Sequence, residues 1–290
     1  MALTIKQLSY FLALTQERHF GRAAAKVHVT QPALSMQIRE MEEGLGMALL
    51  ERGRDLRLTP AGREVAARAA RILADVAEIE AMARRQSLGG RVNIGIIPTV
   101  APYLLPRLLP RITTELRLRE AQTDALLDGL EDGTLDAVVI ASPARPGMVS
   151  HPLFIDRFLL AGSAPRLDAL ASGIEHLRPS ALDPDHLLLL DEGHCLADQA
   201  LEVCGLDRRA TRVDLGASSL STLAGLVGQG YGLTFIPEIA MAVESAAQPA
   251  MRLARFAEPQ PSRAVALVGR ETTAAEPWFA TLAAQIKESA

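Results

Sequence analysis

The sequence predicts a fold in two parts: a small all-helical N-terminal unit extended by one long helix, and then an α/β body. Three observations carry this. The first sixty or so residues set their apolar side chains at helical spacing between tight turns. Residues from Pro60 to about Ser87 keep an unbroken apolar seam with the 3.5-residue period of paired helices. From Arg91 onward, short β-rich runs alternate with helical segments.

Within the first unit, Thr4 caps a helix through Leu8, Phe11, Leu12 and Leu14. After His19, a second helix sets Phe20, Ala23, Ala24 and Val27 on one apolar face. Thr30 is an N-cap for a third, with Pro32 in the first turn, where a missing N–H is tolerated. Its stripe of Leu34, Ile38, Met41 and Leu45 leaves Ser35, Met36 and Arg39 on the other side, with Gln31 near the start. Leu49 to Arg52, then Gly53-Arg54-Asp55 and Leu56-Arg57-Leu58, read as a small hairpin or wing.

Thr59-Pro60 starts the long helix. Val65, Ala69, Ile72, Val76, Ile79 and Ala83 recur along it at spacings of 4, 3, 4, 3 and 4, an edge best buried against a second copy of itself. Leu88-Gly89-Gly90 is the break. The expected domains are 1–59, 60–90 and 91–290. In the last, Val92–Ile97, Ala137–Ile140, Leu187–Leu190, Leu233–Ile236 and Val265–Val268 read as strands, and Thr123–Glu131 and Leu220–Val227 as helices. That alternation predicts a largely parallel sheet, with room for two lobes and a cleft.

Composition narrows the function. With 49% hydrophobic and 22% charged residues, the chain of 290 residues has an ample core. No apolar run approaches the roughly 20 residues that span a bilayer. The start, MALTIKQLSYFLAL, has no basic leader or cleavage site, so a cytoplasmic protein is expected. Residues 1–88 hold 13 Lys/Arg against 10 Asp/Glu, whereas the remainder carries −7, so the N-terminal part is the one suited to a polyanion. His151, His176 and His186 have no metal-ligand spacing, no phosphate-binding glycine loop is present, and no cofactor is expected.

An apolar stripe that holds the third helix against the first two frees Gln31, Ser35 and Arg39 for base edges and phosphates of double-stranded DNA. Phe20-Gly-Arg-Ala-Ala, Val29-Thr-Gln-Pro-Ala-Leu-Ser and Gln37-Ile-Arg resemble the winged helix–turn–helix of LysR-type transcriptional regulators, and Leu50-Glu-Arg with Leu58-Thr-Pro-Ala-Gly resembles their wing and dimerising linker helix. The resemblance implies Thr30, Gln31, Ser35 and Arg39 at the DNA, with Arg52 and Arg54 reaching phosphate. It also implies a periplasmic-binding-protein-like, two-lobed regulatory domain.

The segment LLLLDEGHCLADQALEVCGLD bears on what is sensed. Asp191-Glu-Gly-His is a polar turn, and Cys195 opens a helix with apolar Leu196, Ala200 and Val203. Oriented N–H groups at a helix start favour a thiolate, His194 is adjacent, and Gly193 allows close backbone approach, while Asp191 and Glu192 oppose negative charge on sulfur. Cys204 lies nine residues on, two and a half turns, so the thiols fall on opposite faces about 13 Å apart along the axis. A disulfide needs Cα atoms within about 7 Å, so a helix here would have to unwind for the two to join. The open alternative is that Cys204 is buried and they never meet.

Asp191-Glu-Gly-His-Cys-Leu, Asp198-Gln-Ala, Cys204, Ile94-Gly-Ile-Ile-Pro-Thr-Val-Ala-Pro-Tyr and Glu120-Ala-Gln-Thr resemble the peroxide-sensing branch of the same family. That resemblance implies attack on hydrogen peroxide by Cys195, resolution by Cys204 as a disulfide, and a peroxide pocket of Thr99, Thr123, His194, Asp198 and Arg263. It further implies a homodimer or homotetramer that engages RNA polymerase and activates antioxidant genes. Where relatives carry Arg, this chain has Ala197, and Gly205-Leu-Asp-Arg-Arg is less aromatic than theirs. Two other readings stand: a LysR-type regulator that binds a metabolite in the interlobe cleft, and a thiol peroxidase or disulfide reductase, against which this chain has no C-x-x-C pair and carries a DNA-binding unit such an enzyme would not use.

Overall fold

The computed structural model describes residues 3–51, 56–87, 91–112, 115–171, 177–191, 193–205 and 217–290. The chain divides into two compact units, Met1–Ala83 and Arg84–Ala290.

In the first unit, α1 (Ile5–Glu17) begins with the expected Thr4, which forms a capping box with Gln7. A histidine caps α2 (Phe20–Lys26): His19 Nδ1 accepts from the N–H groups of Gly21 and Arg22 at 3.1 and 3.3 Å. Thr30 caps α3 (Gln31–Leu45) through the N–H of Ala33. Leu34, Ile38 and Met41 are buried with Phe11, Leu14, Ala23 and Leu49, so the stripe read from spacing is the core of this unit. The wing closes through an antiparallel bridge, Leu50 to Leu58, and Glu42 braces it by accepting from the N–H groups of Leu49 and Leu50. The wing tip and Leu88–Gly90 lie outside the described residues.

The long helix α4 spans Pro60–Ser87. Its seam is divided. Ala69 is buried against the unit's own core with Val65 and Leu73 packed beside it, whereas Ile72 and Ile79 are 40% and 62% exposed. The first part of the expected edge is therefore used within the chain.

In the second unit, a seven-stranded sheet runs β2 (Leu116–Glu120), β1 (Val92–Ile96), β3 (Ala137–Ile140), β7 (Ser262–Arg270), β4 (Met148–Ser163), β5 (Thr234–Pro237), with β6 (Met251–Arg255) also on β4. Among the described residues, the β1–β2 and β1–β3 ladders are parallel and the other four are antiparallel. The expectation of a largely parallel sheet is corrected to a mixed one. β5, β6 and β7 run opposite to β1, β2, β3 and β4; β4, a strand of 16 residues, pairs with β7 along its first part and with β5 and β6 along its last, so one strand serves two half-sheets. Leu187–Leu190 is corrected as well. It is extended and largely buried but makes only isolated bridges, Leu187 to Leu233 and Leu190 to Ala217.

The helices of this unit are α5 (Ala101–Leu108), α6 (Thr123–Glu131), α7 (Ala164–Ala171), α8 (Cys195–Cys204), α9 (Leu220–Gly228), α10 (Met241–Ala247), α11 (Glu271–Ala274) and α12 (Pro277–Lys287). The carboxyl ends of β1 and β2 deliver the chain to the turn before α5 and to the first residue of α6. In open α/β sheets such strand ends are where ligands bind.

Candidate thiol site and nucleic-acid interface

Four of the residues singled out in sequence converge at those strand ends. Thr99 in the turn after β1, Thr123 opening α6, and His194 and Cys195 at the start of α8 line one small pocket with Ile97, Pro98, Gln122 and Gly193. The N-cap of α5 is Val100 and that of α6 is Gln122, so neither hydroxyl is spent on a helix end. Thr99 is buried and its Oγ1 accepts from Arg263 Nη1 at 2.8 Å. The buried Thr123 Oγ1 has no hydrogen-bond partner among the described residues. A buried hydroxyl left unsatisfied carries a penalty of about 1–3 kcal/mol.

Gly193 is there for a physical reason. Its φ is +89°, and a Cβ would lie 2.4 Å from Gln122 Oε1. His194 is buried, and that burial lowers its pKa against a smaller opposing pull from Asp191, so the ring is neutral near pH 7.

Cys195 is half-buried and Cys204 buried, and both are free thiols. Burial pushes the Cys204 thiol up to about 11. The helix between them is continuous, as the spacing implied. It is held by Leu196, Ala197, Ala200, Leu201 and Cys204, with Val203 only partly buried and packed against them. Ala197 is itself buried, so at this position the chain carries a packing residue; more than a charge separates it from an arginine. Gln199 Nε2 ties α8 to the carbonyl of Ala141, just after β3, at 2.6 Å.

Asp198 and Arg263 lie elsewhere. Both line a second, open depression with Gln199, Glu202, Ser142 and Ala264, and Cys195 reaches this depression too. Asp198 is exposed. Arg263 is buried and connects to the first pocket through Thr99.

Three contributors escaped the sequence reading. Gln122 walls the pocket, Gln199 anchors α8, and Asp156 pairs with Arg263 at 2.9 Å with both side chains about 1% exposed. Only Asp156 left a sequence signal, a lone carboxylate inside the apolar strand Leu153-Phe-Ile-Asp-Arg-Phe-Leu.

On α3, Gln31, Ser35 and Arg39 follow at intervals of four. Gln31, Arg39 and Met36 are exposed and Ser35 is half-buried, opposite the buried stripe. Thr30 is engaged as the cap. Arg52 and Arg54 lie outside the described residues. Among the described residues, no helix is long and apolar enough to cross a membrane and no cluster of His, Cys, Asp or Glu could hold a metal.

Residues 5–63 match the family model described as bacterial regulatory helix-turn-helix protein, lysR family, and residues 85–290 match that of the LysR substrate binding domain. The chain is 41% identical to a Streptomyces viridosporus protein named "Probable hydrogen peroxide-inducible genes activator", over 99% of this chain and 94% of that one. It is 36% identical to the DNA-binding transcriptional dual regulator OxyR of Escherichia coli K12, over 92% and 90%. A solved structure of a cysteine-to-serine mutant of Corynebacterium glutamicum OxyR with H2O2 bound is 33% identical, with a TM-score of 0.63 over 100% of this chain and 93% of that one. The chain belongs to the LysR family of transcriptional regulators.

Proposed function

We propose that this regulator senses hydrogen peroxide by reversible formation of a Cys195–Cys204 disulfide and thereby controls antioxidant genes. One observation carries the reading. A half-buried thiol at the first residue of a helix opens on a pocket with two threonine hydroxyls free of capping duty, and the only other cysteine of the chain is buried at the far end of the same helix.

Cys195 sulfur attacks one oxygen of the peroxide. The S–O bond forms, the O–O bond breaks, and the departing hydroxide takes a proton to leave as water, giving a sulfenic acid. Thr99 and Thr123 stabilise the departing oxygen, and neutral His194 closes the pocket without adding charge. Asp198 and Arg263 act from the adjoining depression, Asp198 on water and Arg263 through Thr99. The sulfur of Cys204 then attacks the sulfenic sulfur, the S–S bond forms, and the sulfenic oxygen leaves as water. The ten-residue helix α8 holds the two cysteines about 13 Å apart along its axis, so this second step requires α8 to unwind. The refolded segment is the signal.

Gln31, Ser35 and Arg39 read the major groove, Thr30 sets the start of the recognition helix, and Arg52 and Arg54 of the wing contact phosphate. The domains are 1–59, 60–90 and 91–290. The last is a two-lobed, periplasmic-binding-like body built on the two half-sheets that share β4. The protein acts in the cytoplasm as a homotetramer assembled through α4 and this body; Ile72 and Ile79 supply the exposed apolar edge of α4, and the oxidised form engages RNA polymerase. Mass spectrometry of the peptide spanning both cysteines, before and after mild peroxide and paired with DNA footprinting, tests the reading. The expected result is a Cys195–Cys204 disulfide with a changed footprint, both abolished in C195S. No disulfide and an unchanged footprint in the wild type replace the peroxide with a metabolite effector, the response to which would survive C195S and C204S.

A further inference from the structure

Resting on that reading, we propose that Asp156 is a positioning residue for the peroxide reaction. It acts through Arg263 to set the direction in which the Thr99 hydroxyl donates. Asp156 and Arg263 are cross-strand partners on β4 and β7. Arg263 Nε and Nη2 donate to Asp156 Oδ2 at 3.1 and 2.9 Å, which aims the remaining edge of the guanidinium at Thr99. Nη1 donates to Thr99 Oγ1 at 2.8 Å and Nη2 to the Thr99 carbonyl at 3.1 Å. The second carboxylate oxygen of Asp156 accepts the N–H of Ile239 at 3.0 Å, so the carboxylate itself has no freedom to rotate.

The consequence lies in the hydroxyl. An arginine only donates, so Thr99 Oγ1 must receive from Arg263, and its own O–H hydrogen is left to donate elsewhere. Thr99 faces the pocket that holds Cys195, Thr123 and His194. The hydroxyl is thereby a donor poised for the oxygen that leaves as sulfur attacks, while its own proton stays on Thr99 and the leaving hydroxide takes its proton from the medium. Donors fixed in advance at the site of developing charge are worth more than donors that must reorient. Without Asp156 the guanidinium loses two of its hydrogen bonds, and the Thr99 hydroxyl is free to turn and accept from a ligand.

The test compares full-length wild type and D156N by two rates: oxidation of Cys195 by hydrogen peroxide, and alkylation of Cys195 by iodoacetamide, which needs no donor to a departing oxygen. The positioning role predicts that D156N loses about tenfold or more in the peroxide rate, a modest share of what a preorganised donor supplies, with the alkylation rate within about twofold of wild type. In a T99V background D156N should add nothing. Equal peroxide rates in D156N and wild type, or a parallel fall in both reactions, overturn the proposal. If D156N does not fold because Arg263 is left buried and unpaired, the charge-neutral D156N/R263Q pair carries the same comparison, and wild-type peroxide reactivity there overturns it too. A wild-type protein that forms no disulfide with peroxide refutes the proposed function instead, so the two failures are distinguishable.

Discussion

The helix α3 and the helix α8 are built from the same elements and do opposite things. Each has an apolar face in a core and a glycine C-cap in the left-handed region, Gly46 at φ 66° and Gly205 at φ 67°. They differ at the N-terminus. The hydroxyl of Thr30 caps α3, and the fifteen residues that follow contain no cysteine. The start of α8 has no side-chain cap; its N-cap is a buried histidine, and the first residue is Cys195. A short helix gains little from propensity and stands on its packing. That of α8 comprises Leu196, Ala197, Ala200, Leu201 and Cys204, and a disulfide would pull the last of these out of the core. On the proposed reading, one helix presents side chains in a fixed frame, and the other is stable only while its two sulfurs stay apart.

The largest contrast expected concerns the two thiols of α8. Burial moves Cys204 from 9.0 to about 11, so at pH 8 its thiolate is about a hundredfold scarcer in the folded protein than in the unfolded chain. A thiol held above its unfolded pKa favours the fold below pH 9, a contribution lost as pH rises from 9 toward 11. Iodoacetamide labelling at pH 8 with peptide mass spectrometry should find Cys204 protected at least a hundredfold relative to urea-unfolded protein. Comparable labelling of Cys204 with and without urea would mean that α8 is already open in the reduced state.

Next in size is the pair of glycines. G193A places a Cβ at φ +89° and against Gln122, costing about 1–3 kcal/mol at the start of α8. Because Gln122 must rotate out of the pocket wall, the same substitution slows peroxide oxidation of Cys195. G46A meets nothing within 4 Å and bears only the left-handed backbone penalty of about 1 kcal/mol. Hydrogen exchange resolves the two losses by location. A larger loss at α3 than at α8 would contradict the strain assigned to Gly193.

The same two helices mark how far the sequence could be read. For α3 nearly everything was local: the Thr30 cap, the stripe at Leu34, Ile38 and Met41, and the outward Gln31, Ser35 and Arg39 all follow from a 3.6-residue period. For α8 the start at Cys195 and, for a helical segment, the separation of the thiols were legible in the same way. The pocket around Cys195 was legible only as residue types. What makes Thr99 a donor is an arginine 164 positions away, held by an aspartate 107 positions from that arginine. The buried Tyr103–Glu244 hydrogen bond spans 141 positions. No period in the chain encodes such pairs. Strand direction was hidden for a related reason: an apolar run reports burial, whereas the reversed course of β5 and β7 depends on where the chain re-enters the sheet.

The smallest effect expected sets the two N-termini against each other by pH. The pKa of His194 is lowered from 6.5 chiefly by burial, with Asp191 pulling the other way. A histidine depressed in the fold binds its proton more readily once the segment opens. Its contribution to stability is whole above about pH 6.5 and declines as the pH falls below that value toward the folded pKa. Thr30 has no such linkage. Amide protection factors at about pH 7 and pH 5.5, corrected for intrinsic exchange, should fall in the first turn of α8 and hold in that of α3. H194N should flatten the α8 response. If both helices lose protection equally, acid acts on the whole fold and the start of α8 is no softer than that of α3.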